Sequence, residues 1–133
     1  MPDSEQTLLA FDFGLRKVGV ALGNTLLRQA QPLEIIDTEV KVRRLERIDA
    51  LLATWQPQKL VVGLPLTLDG GEQPASRLAR RFASQLKART GLPVELVDER
   101  GSSLQAQQWT GNAPDDAVAA AIILQRYFDG SLS

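Results

Sequence analysis

Neither cysteine nor histidine occurs anywhere in the 133 residues. Without cysteine there is no disulfide framework, no thiol nucleophile and no sulfur-ligated zinc. Without histidine there is no Ser-His-Asp triad and no imidazole ligand. Any acid–base or metal chemistry must rest on carboxylates, Lys, Tyr, hydroxyls and bound water. A carboxylate-only site favours hard cations such as Mg2+ or Mn2+. No apolar run approaches the ~20 residues needed to span a bilayer. Met1 to Thr7 is short, polar and partly acidic, unlike a signal or transit peptide, so a cytoplasmic protein with no membrane partner is expected. The balance of charge is −1 and the pI about 5.4, which counts against a generic nucleic-acid binder and leaves only local basic patches for that role.

What is present fits one compact domain, residues 1–133, with 1–6 expected to be a flexible N-terminus. The apolar share is 44% and the charged share 23%, an ordinary globular composition. Leu8 to Phe13 and Lys17 to Leu22 read as two short strands joined through Gly14-Leu15-Arg16, a hairpin with an early glycine. Gln29 to Ile36 adds a third strand, which Pro32 makes an edge or irregular one. From about Val40 to Trp55, the spacing of Val42, Leu45, Ile48, Leu52 and Trp55 predicts an amphipathic helix ended by Gln56-Pro57. Lys59 to Gly63 is a continuous apolar strand, as expected when both faces are covered. A loop from Leu64 to Pro74 leads to a helix over about Pro74–Arg89, with Leu78, Phe82 and Leu86 on one face. Val94 to Val97 reads as another buried strand. A short helix over Ser102–Trp109, a loop over Thr110–Pro114 and a last helix over about Asp115–Phe128 complete an α/β order.

Three carboxylates have unusual addresses. Asp12 lies inside the apolar run Leu8 to Phe13, where a lone charge is expensive unless it is paired or coordinates something. Glu99 stands at the C-terminal end of a strand, where ligand sites of α/β sheets gather. Asp116 opens the last helix on the face that also carries Ala120, Ile123 and Tyr127. The alanines between Ala117 and Ala121 would let that helix approach the sheet closely. Each carboxylate also fits a bland role: Asp12 as a turn starter before Gly14, Glu99 as a partner of Arg100, and Asp115 or Asp116 as an N-cap.

The same residues carry a family pattern. Phe11-Asp12-Phe13-Gly14, Arg16 and Val18-Gly19-Val20-Ala21 resemble the opening motif of the YqgF family of pre-16S rRNA nucleases, also described as Holliday-junction-resolvase-like. Val61 to Leu66 with Asp69-Gly70 and Gln73-Pro74 resembles its second motif. Asp98-Glu99-Arg100 with Ser102-Ser103 resembles the third, and Asp116 leading to Ala119 through Leu124 and Tyr127-Phe128 the fourth. The likeness runs from about Leu8 to Phe128. It implies an RNase H-like fold: a five-stranded mixed sheet with its third strand reversed, flanked by helices. It also implies that Asp12, Glu99 and Asp116 are the catalytic, metal-holding triad, with Asp116 preferred to Asp115 because the family's aspartate lies six residues before Ile122-Ile123-Leu124. Two places depart from the family: the segment Thr110–Pro114 is short and lacks basic residues, and Gly101 replaces the usual leucine.

The implied activity is metal-assisted phosphodiester hydrolysis with Mg2+ or Mn2+, most naturally at the 5′ end of pre-16S rRNA. Branched DNA, cut by a Holliday-junction-type resolvase, is the alternative substrate; a non-catalytic nucleic-acid- or ribosome-associated module is the alternative role. Expected phosphate contacts are Arg16 beside Asp12, Arg100 after Glu99, and Arg77 and Arg81. The wider basic runs, Lys41, Arg43, Arg44 and Arg47, and Arg77, Arg80, Arg81, Lys87 and Arg89, equally fit solvated helix faces. Trp55 and Tyr127 read as core, leaving Trp109 as the aromatic for base contact. An actin-like ATPase would need two such domains. A kinase reading of Asp12-Phe13-Gly14 fails for want of the other kinase motifs.

Overall fold

A computed structural model describes residues 5–99 and 115–131, without the side chains of Asp115, Asp116 and Ser131. The expected Ser102–Trp109 helix, the Thr110–Pro114 loop, Arg100 and Gly101 lie outside the described residues. The elements are β1 (Thr7–Phe13), β2 (Lys17–Asn24), β3 (Gln29–Asp37), α1 (Lys41–Trp55), β4 (Lys59–Leu64), α2 (Pro74–Thr90), β5 (Val94–Asp98) and α3 (Asp115–Ser131). The five strands form one sheet in the order β3-β2-β1-β4-β5. Among the described residues no helix is long and apolar enough to cross a membrane.

The strand that runs against the others is β2, not the third strand as expected. The cause is local: β2 is joined on both sides by short turns, which make both of its pairings antiparallel, whereas β1–β4 and β4–β5 are parallel. The first turn needs its glycine, because a Cβ on Gly14 would meet the Lys17 carbonyl oxygen at 2.6 Å. The second closes with the Asn24 side chain accepting the Leu27 N–H at 2.8 Å and Arg28 at φ 54°. β3 is an edge strand, and its pairing with β2 shifts register between Val20 and Ala21, where Pro32 has no N–H to donate.

Alternation along the strands builds two cores. Leu9, Phe11, Val18, Val20, Leu60 and Val62 face α1 and α2, meeting Ile48, Leu51, Phe82 and Leu86. Leu8, Ala10, Ala21 and Val61 face α3, meeting Ala120, Ile123, Leu124 and Phe128. Each such large side chain, when fully buried, contributes about 1.5–3 kcal/mol, so the two cores hold the sheet between its helices. Ala117 through Ala121 are all buried, which is how α3 lies close to the sheet.

Three expectations are corrected. Val42 and Trp55 are not core, at 64% and 38% exposure; the buried stripe of α1 is Arg44, Ile48 and Leu51. Arg44 therefore does not lie on a solvated face: its Nη2 donates to the carbonyls of Leu15 and Thr38, and its guanidinium caps the Phe13 ring at 5.2 Å. Finally, β5 is an edge strand and only partly buried.

Candidate active site

Connectivity places the C-terminal ends of β1, β4 and β5 at one end of the sheet. The helices that follow β3 and β4, α1 and α2, begin at that same end, so their N-terminal dipoles favour anions there. Ser76 secures the second of these starts. Its Oγ accepts the Gln73 N–H at 3.0 Å and donates to the Pro65 carbonyl, tying α2 to the loop that leaves β4.

Three positions then line up on the α3 face. Asp12 has the parity of Leu8 and Ala10, so its side chain leaves β1 toward α3. Glu99 has the parity of Val97, which packs in the α3-side core, and of Glu95, which binds Lys59 Nζ at 2.7 Å beside Tyr127. The Glu99 N–H donates to Leu64 O at 3.2 Å, carrying the parallel ladder one residue past β5. Between these strands runs β4, and there the residue is Gly63. A Cβ at Gly63 would meet Ile123 Cδ1 at 2.3 Å and the Glu99 carboxyl carbon and Oε2 at 3.0 Å each. The bare glycine is what lets Glu99 lie across β4 toward Asp12.

The two carboxyls share a hydrogen bond, which requires a proton between them. Burial, with repulsion and the hydrogen bond from Asp12 added, pushes the Glu99 carboxyl up to about 8, and Asp98 pushes in the same direction. Arg126 opposes the rise, its Nη1 anchored at 2.9 Å on the Asp98 carbonyl. Such a pair carries one charge fewer than its oxygens are built for. It accepts either a proton or a hard cation.

The structure thus brings Asp12 and Glu99 together. Asp116 lies in the first turn of α3, two helical turns before Ile123, and its side chain is outside the description. Ile123 packs at Gly63 and Tyr127 at Lys59, so α3 runs against β4 and its N-terminus points to the carboxylate end of the sheet. Among the described residues no group of three carboxylates is close enough to hold a metal by itself.

Of the expected phosphate contacts, Arg16, Arg77 and Arg81 fall among the described residues. Arg16 lies in the hairpin turn with its Nε 3.2 Å from Asp37 Oδ1. Arg77 and Arg81 lie exposed on α2, on the opposite face of the sheet from the carboxylates. Arg100 and Trp109 are outside the described residues. Two further positions shape the site. At Gly63 the signal in the sequence is a glycine ending an apolar strand, which marks close approach by another element. Arg126 sits three residues after Ile123 on the inward face of α3, and that spacing was the available signal.

The sheet order β3-β2-β1-β4-β5 with β2 reversed is that of an RNase H-like fold. Residues 6–130 match the RuvX family, described as Holliday junction resolvase, and the chain belongs to that family. A "Putative pre-16S rRNA nuclease" from Bordetella parapertussis is 69% identical over 126 residues, covering 94% of this chain and 95% of that one. Two solved structures share the fold at low identity. Thermus thermophilus RuvC in complex with a Holliday junction substrate superposes with a TM-score of 0.59 at 18% identity, covering 96% of both chains. Fowlpox virus resolvase, also with Holliday junction DNA, gives 0.58 at 12%, covering 96% of this chain and 99% of its own.

Proposed function

We propose that the chain is a metal-dependent, cytoplasmic nuclease in which Asp12, Glu99 and Asp116 hold Mg2+ or Mn2+, and that it trims the 5′ end of pre-16S rRNA. The observation that carries the reading is the Asp12–Glu99 pair, two carboxyls in hydrogen-bond contact over Gly63 at the C-terminal end of the sheet. An all-oxygen donor set held at the expense of a shared proton fits a hard divalent cation. When bound, such ions supply activation of the attacking water and stabilisation of the leaving oxygen.

The chain's own residues do the rest. Asp12, on β1 in the middle of the sheet, is fixed by pairing opposite Gly19. Glu99 is fixed by its N–H on Leu64 O, and Asp98 by the Arg126 guanidinium on its carbonyl. Asp116, in the first turn of α3, would supply the third carboxylate. The name carried by the Bordetella relative supports a ribosomal RNA precursor as substrate. The family description supports branched DNA as the second reading.

The test is cleavage of a labelled pre-16S rRNA 5′ segment and of a four-way DNA junction, with Mg2+, Mn2+ or EDTA. Wild type is expected to cut the RNA only with metal, and Asp12→Asn to lose at least about a hundredfold in rate. Cutting of the junction alone would move the substrate to DNA. Equal cutting by Asp12→Asn would refute the site, and tight binding without cutting would make the chain a binding module.

A further inference from the structure

A second feature sits at the carboxylate end of the sheet, on the other face. The β1–β2 turn, the start of α1 and the middle of α2 enclose an open groove with a cavity volume of about 230 Å³. Its floor is apolar and fixed: Phe13 and Phe82 lie ring against ring at 4.7 Å, and Arg44 caps Phe13 from α1. Leu15 stands at the rim, 69% exposed. Lys41, Arg44 and Arg81 line the groove against a single acid, Glu39.

Part of the basicity of the two helices is neutralised within the fold, and the part at the groove is not. On α1 and α2, Arg47, Arg80 and Arg89 are each clamped by a carboxylate, Glu34, Glu72 and Asp49. Lys41 and Arg81 are exposed and have no carboxylate partner among the described residues. Arg44 is buried at 7% exposure, and the acceptors it reaches are neutral carbonyls. A buried cation without a counter-charge leaves the local potential positive.

We infer that this groove holds a single strand of nucleic acid flanking the cut site, with Lys41 and Arg81 on its phosphates and a base against Leu15 and the Phe13 edge of the floor. A single strand is favoured over a duplex because the groove pairs an apolar floor with a cationic rim. An unpaired strand offers bases and phosphates together, whereas a duplex hides its bases. Phe13 directly follows Asp12 in β1, so a strand leaving the carboxylates over the β1–β2 turn enters the groove at once. This assignment rests on the nuclease reading for its orientation and extends it to a substrate-binding surface.

The experiment is fluorescence anisotropy of labelled single-stranded RNA and DNA 20-mers and of a blunt duplex, in EDTA, over a salt series. It compares full-length wild type, Lys41→Glu/Arg81→Glu, and Arg43→Glu/Lys87→Glu as a charge-matched control elsewhere on α1 and α2. The double variant is expected to bind single strands at least about tenfold more weakly, with a shallower salt slope, while the control changes less than about twofold. Loss on RNA alone or on both strands supports the groove and names the sugar it accepts. Equal loss in the control, loss confined to the duplex, or no loss in the double variant would overturn it. Wild type binding no strand at all would overturn both the groove and the nuclease reading; wild-type binding with unchanged variants overturns only the groove.

Discussion

A methyl group on Gly63 would stand 3.0 Å from the carboxyl carbon of Glu99, so the absence of a side chain on β4 is what admits the Glu99 carboxyl to its place beside Asp12. The same methyl would press on Ile123 Cδ1 at 2.3 Å, which separates two consequences of one substitution. Gly63→Ala is expected to lose about 1–3 kcal/mol of stability by overpacking and most of its cleavage rate by displacing Glu99. Ile123→Val removes the clashing Cδ1. In the double variant the stability should return toward wild type while the rate stays low, measured by urea unfolding and by single-turnover cleavage. Recovery of both together would mean that Gly63 serves packing against α3 only.

The Glu99 carboxyl gives the metal-free protein a pH dependence of definite sign. Its ordinary value is 4.5 and its folded value about 8, raised chiefly by burial and then by Asp12. Between those values the unfolded chain has released the proton and the folded chain still holds it. Stability therefore falls as pH rises from about 5 to about 8, by on the order of a few kcal/mol at most, and levels off above. Glu99→Gln should flatten the decline. A saturating divalent cation should reverse it, because binding is tighter to the deprotonated pair. Thermal melts in EDTA across this pH range decide the matter: stability rising with pH in wild type, with the same slope in Glu99→Gln, would contradict the assignment.

Arg126 is expected to tune this carboxyl without being essential to the fold. It lowers the Glu99 value through space and holds the Asp98 carbonyl at 2.9 Å. Arg126→Met should raise the Glu99 titration further and cost about 1 kcal/mol for the lost hydrogen bond. NMR titration of 13C-labelled glutamate follows the first of these. A Glu99 midpoint unchanged by the substitution would show that Arg126 acts on Asp98 alone.

The sequence made legible what depends on neighbours along the chain. Lys59 to Gly63 read as a doubly covered strand because every residue after Lys59 is apolar, and Gly14 announced the hairpin because a side chain there would collide with Lys17 O. That Asp12 and Glu99 stand out is legible because a charge in an apolar run and a carboxylate at a strand end are both costly unless paired, and the fold does bring the two together. What depends on distant partners was not legible. The burial of Arg44 needs two carbonyls, at Leu15 and Thr38, that only the folded turn presents. A pattern that counts Arg as polar therefore rotated the α1 stripe toward Val42 and Trp55. The role of Gly63 needs side chains from β5 and α3, and the reversal of β2 follows from turn lengths that the family outline did not specify.

Arg44 also fixes the geometry next to Asp12, and this makes it the most informative residue outside the carboxylates. One guanidinium nitrogen bridges the Leu15 and Thr38 carbonyls, while the Thr38 N–H donates to Arg16 O at 3.0 Å, so the β1–β2 turn and the end of β3 are fastened at the same point. Desolvation holds the Arg44 guanidinium below its ordinary value, yet it remains charged at neutral pH. Arg44→Met keeps the apolar stem against Phe13 and deletes both hydrogen bonds. The expected cost is about 1–3 kcal/mol, seen as a lower urea midpoint, with hydrogen-exchange protection lost first at the Thr38 amide. Arg44→Lys, with a shorter reach and no planar fork, should recover only part of this. An unchanged midpoint and an unchanged Thr38 amide in Arg44→Met would show that the turn holds itself, and that Arg44 is buried there for its charge alone.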